Sequence, residues 1–219
     1  AEMIKYASNV FLATKVSFIN EIANLCERVG ADVQVVAKAM GLDQRIGSKF
    51  LHAGPGFGGS CFPKDIAALI QVGKQIGYEM EIARAAARVN ARQRLLMVEK
   101  IRETLGELKG KTVALLGLSF KPNTNDLREA PALTIAERLL AEGCVVRVYD
   151  PAALEEGTKM LPGLLPCADA YDAAQGAEAL ILVTEWNQFR NLDFERVKAA
   201  LRRPVFIDLR NVYEPDRMA

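Results

Sequence analysis

The chain has 219 residues, of which 50% are apolar and 25% are charged, and its formal net charge is +1. This composition is typical of a globular protein, and the balanced charge gives no indication of a nucleic-acid or membrane surface. The four cysteines form no Cys-x-x-Cys pair and there is a single histidine, so a His/Cys metal site is not expected. Few, unpatterned cysteines suit the reducing cytoplasm.

The first predicted helix covers residues 1–29 and has an unusually large apolar surface. Apolar side chains recur there every seven residues, at Ile4, Phe11, Phe18 and Leu25. A second apolar strip, at Leu12, Val16 and Ile19, predicts that the helix is buried on most sides. This is more apolar surface than one small domain needs to cover, so we expect a homodimer held by this helix.

Three further helices complete the first half of the chain. A short helix over about 32–41 begins at an aspartate cap, and a glycine-rich loop over 42–60 follows it. The next helix has Pro63 in its first turn and runs to about Gly77. The last one spans about 79–105 and stops at a glycine.

After the glycine at position 110, the apolar pattern changes from helical to strand-like. Four short β-branched runs predict strands: TVALLG (112–117), CVVRVYD (144–150), EALILVT (178–184) and VFIDL (205–209). Helical patterns lie between them, at 131–142, about 169–176 and 193–202. This alternation predicts a doubly wound, mostly parallel, Rossmann-like sheet. We therefore expect an all-helical domain over 1–109 and an α/β domain over 110–219, with the boundary near 106–111.

The strongest candidate for chemistry is the segment GPGFGGSCFPKD, residues 54–65. Its glycines allow the backbone to approach a ligand closely. Cys61 falls at the start of the helix, where the helix dipole favours a thiolate. Lys64 adds positive charge, and Asp65 follows Cys61 by about one turn. These features favour a reactive thiol over the alternative, an inert buried cysteine.

Polar residues on the first helix form two i, i+4 pairs. Lys5 and Asn9 share one helix face and could face a site, although Lys5 could equally extend into solvent. The residues alone leave both possibilities open. Asn20 and Asn24 form a similar pair, which we expect to hold helices together through hydrogen bonds.

The second domain has a polar loop, residues 117–131, directly after its first strand. Open α/β sheets bind ligands beyond the carboxyl ends of their strands. The loop lacks the G-x-G-x-x-G dinucleotide fingerprint. Instead it carries Lys121 and Arg128 and leads into a helix, which suits phosphate, although a solvated loop is the alternative. Arg210, after the last strand, is a further basic candidate.

Six segments together resemble the nucleotide-sugar dehydrogenases, in family order and over essentially the whole chain. They are AEMIKYASNVFLATKVSFINE (1–21), RIGSKFLHAGPGFGGSCFPKD (45–65), GLSFKPNTNDLREAP (117–131), VYDP (148–151), TEW (184–186) and IDLRN (207–211). The GGSCFPKD block is the most specific. The resemblance implies a central helical domain and a C-terminal UDP-sugar-binding domain without the family's N-terminal NAD-binding domain. We therefore expect a fragment.

The resemblance also implies a reaction: NAD-dependent, four-electron oxidation of the C6 alcohol of UDP-glucose to a carboxylate. Cys61 would attack the aldehyde intermediate to give a thiohemiacetal, and a second oxidation would leave a thioester that water hydrolyses. Lys5 and Asn9 match family positions that stabilise the developing oxyanion. Asp65 matches a carboxylate that positions or activates water.

Binding roles follow from the same resemblance. The implied substrate-binding positions are Arg45, Phe50, Leu51, Gly58, Lys121 and Arg210. Of these, Arg45 would reach the substrate of the neighbouring subunit in the homodimer. Lys64 and Arg128 match positions near the NAD cofactor. His52 stands where some relatives carry lysine.

Two alternatives stay open. GDP-mannose and UDP-N-acetylhexosamine dehydrogenases share the cysteine loop, but the second group commonly has a histidine where this chain has Ser60, which favours UDP-glucose. The chain could also be a non-catalytic module for nucleotide-sugar binding and dimerisation, since it carries no cofactor fingerprint. In either case, we expect the isolated chain to lack dehydrogenase activity.

Overall fold

The first part of the chain is helical. The structure, a computed structural model, describes residues 2–214. Its first four helices are α1 (Glu2–Val29), α2 (Val33–Gly41), α3 (Phe62–Gln75) and α4 (Glu81–Leu105). All four were predicted, although Ala1, where the first prediction begins, lies outside the described residues. The Asp32 side chain accepts a hydrogen bond from the Gln34 N–H and fixes the start of α2, as its sequence position indicates.

The two faces of α1 differ from the prediction. Its buried side carries mostly small or polar residues: Val10, Ala13, Ser17, Ile19, Asn20, Ala23 and Cys26. The side chains that recur every seven residues are instead between 46% and 73% exposed: Ile4, Phe11, Phe18 and Leu25. The prediction of burial on most sides is therefore wrong for the single chain. The small residues allow α2 and α3 to approach one face, and the bulky apolar face is left outside.

The second part of the chain is an α/β layer structure. Its strands are β1 (Thr112–Leu116), β2 (Val145–Tyr149), β3 (Leu164–Pro166), β4 (Ala179–Leu182) and β5 (Phe206–Asp208). Its α-helices are α5 (Pro131–Ala141), α6 (Leu154–Met160), α7 (Ala170–Ala174) and α8 (Phe194–Ala200). The strands are all parallel, in the order β3-β2-β1-β4-β5. The predicted fold class is confirmed.

One strand and one α-helix of this part were not predicted. Strand β3 has only three residues and ends in Pro166, which cannot donate to a ladder and suits an edge strand. Helix α6 has seven residues, and its N-cap, Ala153, makes no side-chain cap. Both elements are too short and too weakly marked for a periodic pattern to show them.

Packing divides the chain within α4. The two compact units are Ala1–Gln93 and Arg94–Ala219, whereas the sequence places the boundary between residues 109 and 110. The difference arises because the last turns of α4 join the core of the second unit through Met97, Val98, Ile101 and Leu105. Helix continuity, which the sequence shows, does not reveal which core each turn enters.

The sheet separates two apolar clusters in the second unit. Val113 and Leu115 of β1 belong to one cluster, and Ala114 and Leu116 belong to the other, as alternation along a strand requires. From β1 the chain builds β2 and β3 on one side and then β4 and β5 on the other. The carboxyl ends of β1 and β4 therefore form the topological switch point, where open α/β sheets bind ligands.

Candidate functional site

Cys61 is the N-cap residue of α3, as its position before Pro63 predicts. Its carbonyl oxygen accepts the Asp65 N–H at 2.9 Å, which closes the first helical turn. Cys61 is also exposed, whereas the other three cysteines are buried. A thiol at this place is accessible to a substrate and lies at the positive end of a 14-residue helix.

The Asp65 carboxylate contacts both members of the Lys5–Asn9 pair on α1. The Asp65 side chain is completely buried, and its Oδ2 accepts a hydrogen bond from Asn9 Nδ2 at 2.5 Å. The Lys5 ammonium lies 3.7 Å from the same oxygen, and the Lys5 side chain is 55% exposed. The other carboxylate oxygen, Oδ1, is buried with no hydrogen-bond partner among the described residues. The structure therefore brings Lys5, Asn9 and Asp65 together, one turn from Cys61.

These groups have complementary chemistry. An ammonium and an amide N–H can stabilise a developing oxyanion. A buried carboxylate with an open lone pair can accept a proton. A thiol at a helix N-terminus can act as a nucleophile. Together, these four groups could carry out covalent catalysis at a carbonyl carbon.

The segment that leads to and includes Cys61, residues 54–61, is called the cysteine loop. Two residues that the sequence analysis did not single out, Asn90 and Gln93 on α4, are buried and hydrogen-bonded to this loop. A signal was available for them. They continue the helical spacing of the buried residues Ala83 and Ala86, so two amides occupy an otherwise apolar helix face.

The remaining candidate site residues of the first unit differ in how far they are exposed. Phe50 has a φ of +66°, and its side chain is 36% exposed. Leu51 is 3% exposed, and Gly58 is likewise buried. The Arg45 side chain is 90% exposed and lies 2.6 Å from the Asp43 carboxylate. Its hydrogen bonds hold the pKa of Asp43 below the usual value.

In the second unit, the buried Asp150 joins three loops at the switch-point edge of the sheet. Its Oδ2 accepts from the N–H groups of Leu118 (2.7 Å) and Ser119 (3.0 Å), from Ser119 Oγ (3.1 Å) and from Trp186 Nε1 (3.3 Å). Its Oδ1 accepts from the N–H groups of Ala152 (2.9 Å) and Ala153 (2.8 Å). One carboxylate thus fixes the loops after β1, β2 and β4.

Gly117, at the end of β1, allows the first and third of these loops to touch. Its φ is +91°, and a Cβ at this position would lie 2.4 Å from the Cβ of Thr184. The Thr184 hydroxyl donates to the Ser119 carbonyl at 2.6 Å. The motifs GLS, YDP and TEW of the sequence are therefore three parts of one packed rim.

Arg210 ties this rim to the end of β5. Asp208 accepts the Arg210 N–H at 2.9 Å and fixes the turn after the strand. Arg210 Nε donates to the Val183 carbonyl at 2.8 Å and lies 2.9 Å from the Glu185 carboxylate, and Nη2 donates to the Phe120 carbonyl at 3.3 Å. Burial lowers the pKa of Arg210, against the opposing effect of the nearby carboxylates. The guanidinium is held at the switch point.

The other basic candidates are more exposed. The Lys121 ammonium lies 5.3 Å from the centre of the Phe120 ring. Arg128 lies 2.7 Å from Asp126, and its hydrogen bonds lower the pKa of that carboxyl. Lys64 is exposed on the first turn of α3. Among the described residues, no helix is long and apolar enough to cross a membrane.

Comparison with known proteins agrees with both units. Residues 1–92 match the family model of the UDP-glucose/GDP-mannose dehydrogenase central domain, and residues 114–215 match that of the UDP binding domain. The chain belongs to the UDP-glucose/GDP-mannose dehydrogenase family. The motif-based resemblance to the nucleotide-sugar dehydrogenases is thereby confirmed.

Similar members of the UDP-glucose/GDP-mannose dehydrogenase family are bacterial and archaeal. The UDP-glucose 6-dehydrogenases of Rhizobium meliloti and Pseudomonas aeruginosa are 48% and 50% identical, and each match covers 100% of this chain and 50% of the relative. A solved UDP-glucose dehydrogenase from Pyrobaculum islandicum superposes with a TM-score of 0.89 at 43% identity, over 96% of this chain and 47% of that chain. The chain spans about half the length of the curated relatives it matches.

Proposed function

We propose that this chain supplies the thiol and the nucleotide-binding unit of a UDP-glucose 6-dehydrogenase, which oxidises UDP-glucose to UDP-glucuronate. The observation that carries the proposal is Asp65, a buried carboxylate engaged by Lys5 and Asn9 one turn after the exposed Cys61. The names of the similar relatives support UDP-glucose over other nucleotide sugars as the substrate.

The chain's residues account for the substrate side of the reaction. The Cys61 thiolate adds to the C6 aldehyde carbon, and the carbonyl oxygen becomes an oxyanion facing the donors of Lys5 and Asn9. Oxidation of this thiohemiacetal leaves a thioester. Water then attacks the thioester carbon, Asp65 accepts the water proton, and the C–S bond breaks to return the thiolate and release the carboxylate.

The overall reaction removes two hydrides from C6, and NAD⁺ is the acceptor that the family resemblance implies. The second unit does not fit a dinucleotide in the Rossmann manner. Its first loop lacks the glycine fingerprint, and Asp150, at the end of β2 where such folds hold the ribose, has both oxygens occupied by internal donors. The described residues of the second unit therefore would not hold NAD⁺ in this manner, and Lys64 and Arg128 would lie near the cofactor when it is bound.

The second unit fits the nucleotide diphosphate better. Lys121 is an exposed ammonium in the loop after β1, and Arg210 is fixed beside it through the Phe120 carbonyl. Charge-assisted hydrogen bonds of this kind hold phosphates. Phe50, Leu51 and Gly58 keep their proposed contacts to the sugar and the pyrophosphate.

We also propose that the exposed stripe of α1 is the homodimer interface. Four bulky apolar side chains repeat along a 28-residue helix and face outward: Ile4, Phe11, Phe18 and Leu25. Single exposed apolar residues are normal, but a continuous stripe of this length indicates a partner. A second copy covers it with the same stripe, because a two-fold interface is self-complementary. In that dimer, the exposed Arg45 would reach the neighbouring substrate.

The test offers the aldehyde of UDP-glucose, labelled with ¹³C at C6, directly to the 219-residue chain. A thiohemiacetal signal in the carbon spectrum is expected with the native chain and is expected to be absent with Cys61→Ser. If the aldehyde binds without forming the adduct, the thiol has no catalytic role. That result would favour the second candidate, a nucleotide-sugar-binding and dimerisation module, to which the occupied Asp150 also points.

The chain alone should oxidise nothing. UDP-glucose and NAD⁺ mixed with it are expected to give no rise in NADH absorbance, because the described residues hold no dinucleotide fingerprint. Steady NADH formation would contradict this expectation.

A further inference from the structure

Most of the cysteine loop is buried, although the loop has no regular secondary structure. Residues 53–59 are all buried, and none of them lies in a helix or strand. Buried backbone N–H and C=O groups need hydrogen-bond partners, and here no ladder or helix supplies them. Side chains can supply such partners.

Amide side chains from α1 and α4 supply several of these bonds. Asn20 Oδ1 accepts the Gly54 N–H at 2.8 Å, and Gln93 Nε2 donates to the Gly54 carbonyl at 2.9 Å. Asn90 pairs with both groups of one residue: its Oδ1 accepts the Phe57 N–H at 2.7 Å, and its Nδ2 donates to the Phe57 carbonyl at 3.0 Å. Asparagine suits this place because it carries one acceptor and one donor side by side.

Gly56 makes the approach of Asn90 possible. A Cβ on Gly56 would lie 2.6 Å from Asn90 Oδ1, and its φ of +108° is itself unfavourable for other residues. The glycine in the loop and the asparagine on α4 are thus two halves of one contact.

The contact extends to the residue that follows the cysteine. Phe57 lies four residues before Cys61, and its ring packs edge-to-face against the ring of Phe62, with centroids 5.6 Å apart. Phe62 is the first residue of α3. Asn90 fixes the Phe57 backbone, and Phe57 in turn contacts the residue that follows Cys61. The N-cap of α3 is therefore held from α4.

We propose that Asn90 is a positioning residue for Cys61, an inference that rests on the proposed role of this thiol. Asn90 acts through Phe57: it keeps the cysteine loop in the shape that places the thiol at the N-terminus of α3. Asn24 supports the arrangement from α1, because its Nδ2 donates to Gln93 Oε1 at 2.8 Å and thereby orients the amide that holds Gly54.

The test measures the alkylation rate of Cys61 by iodoacetamide as a function of pH, in the full 219-residue chain, with mass spectrometry to assign the label. Asn90→Asp keeps the shape and the acceptor but loses the donor, sets an oxygen against the Phe57 carbonyl and introduces a carboxyl group, whereas the Asn24→Ala variant adds no charge. We expect the rate at pH 7 to fall about fivefold, as for the loss of one net hydrogen bond, and the pH midpoint of the rate to rise.

Ser17→Ala is the matched control. Ser17 Oγ donates to the Ala86 carbonyl at 2.8 Å, so the variant also loses a buried bond between α1 and α4, but one that does not touch the loop. Its rate and midpoint should equal those of the native chain. A folded Asn90→Asp protein with the native rate and midpoint would overturn the proposal.

A milder variant decides the matter if Asn90→Asp does not fold. Asn24→Ala is expected to lower the rate in the same direction by a smaller factor, and a native profile there would equally overturn the proposal. The measurement uses no nucleotide sugar. Failure of the aldehyde adduct would therefore remove the proposed function and leave the positioning result intact.

Discussion

Replacing Asp150 with asparagine tests how much of the second unit depends on one buried carboxylate. Asp150 is 2% exposed and accepts six hydrogen bonds, two on Oδ1 and four on Oδ2. In Asp150→Asn one of the oxygens becomes an NH₂ group, which cannot accept. Even in the better orientation, with NH₂ in place of Oδ1, the N–H groups of Ala152 and Ala153 lose their acceptor and face another donor.

The expected loss follows from that count. A buried donor left without a partner costs about 1–3 kcal/mol, so two of them should lower the free energy of unfolding by about 2–6 kcal/mol. That is a large share of the 5–15 kcal/mol that is typical for a whole domain. In urea, a loss of this size lowers the unfolding midpoint by about 1 M or more.

Trp186 provides the assay. It is the sole tryptophan of the sequence, it is buried, and its Nε1 lies 3.3 Å from Asp150 Oδ2. Its fluorescence therefore reports the unfolding of the unit that carries the substitution. Glu155→Gln is the control, because Glu155 is an exposed acid on α6 whose pairing with Lys159 is a surface contact; its midpoint should stay close to that of the native chain.

An Asp150→Asn protein with the native urea midpoint would refute the reasoning, since it would mean that the six hydrogen bonds contribute little. A lowered midpoint should be accompanied by weaker UDP binding, because Asp150 also holds the loops that carry the proposed phosphate contacts.

Three other predictions concern separate features. Lys121→Ala should weaken UDP binding in titration calorimetry by about 10- to 150-fold, with unfolding unchanged, because an exposed lysine adds little to stability while a charge-assisted phosphate contact contributes about 1.5–3 kcal/mol; an unchanged dissociation constant would remove it from the site. Phe11→Glu should turn the proposed dimer into a monomer in sedimentation, and a native chain that is already monomeric at micromolar concentration would contradict the proposed interface. Burial raises the pKa of Cys144 to about 11. Between about pH 9 and 11 the thiol ionises in the unfolded chain but not in the folded one, so stability falls as the pH rises. In Cys144→Ser, the free energy of unfolding should fall by about 2–3 kcal/mol less over this pH range than in the native chain, as unfolding titrations would show. The same pH dependence in both proteins would contradict this prediction.

Several features could be predicted because their causes are local in the sequence. Asp32 caps α2 through a neighbouring N–H, and Pro63 fits the first turn of α3, so Cys61 had to fall at a helix start. The short β-branched runs between helical patterns determined the parallel sheet. The motif strings determined the family, and the matches of both domains agree with them.

Other features were decided only by tertiary contacts. The apolar pattern of α1 showed two strips but could not tell which one the chain covers, because that depends on how closely α2 and α3 approach the small residues. The boundary within α4 depended in the same way on which core its last turns enter. Both are questions of packing between segments far apart in the sequence.

The candidate site shows the same division. The sequence showed that Lys5 and Asn9 share one helix face and that Cys61 and Asp65 share another, since i, i+4 spacing fixes this within a helix. That the pairs meet was decided by the packing of α1 on α3, which brings together Asn9 and Asp65, 56 residues apart in the chain. Only this packing buries the Asp65 carboxylate, leaves one of its oxygens open, and turns two separate polar pairs into one arrangement, because burial and approach are properties of the folded chain and not of any local stretch.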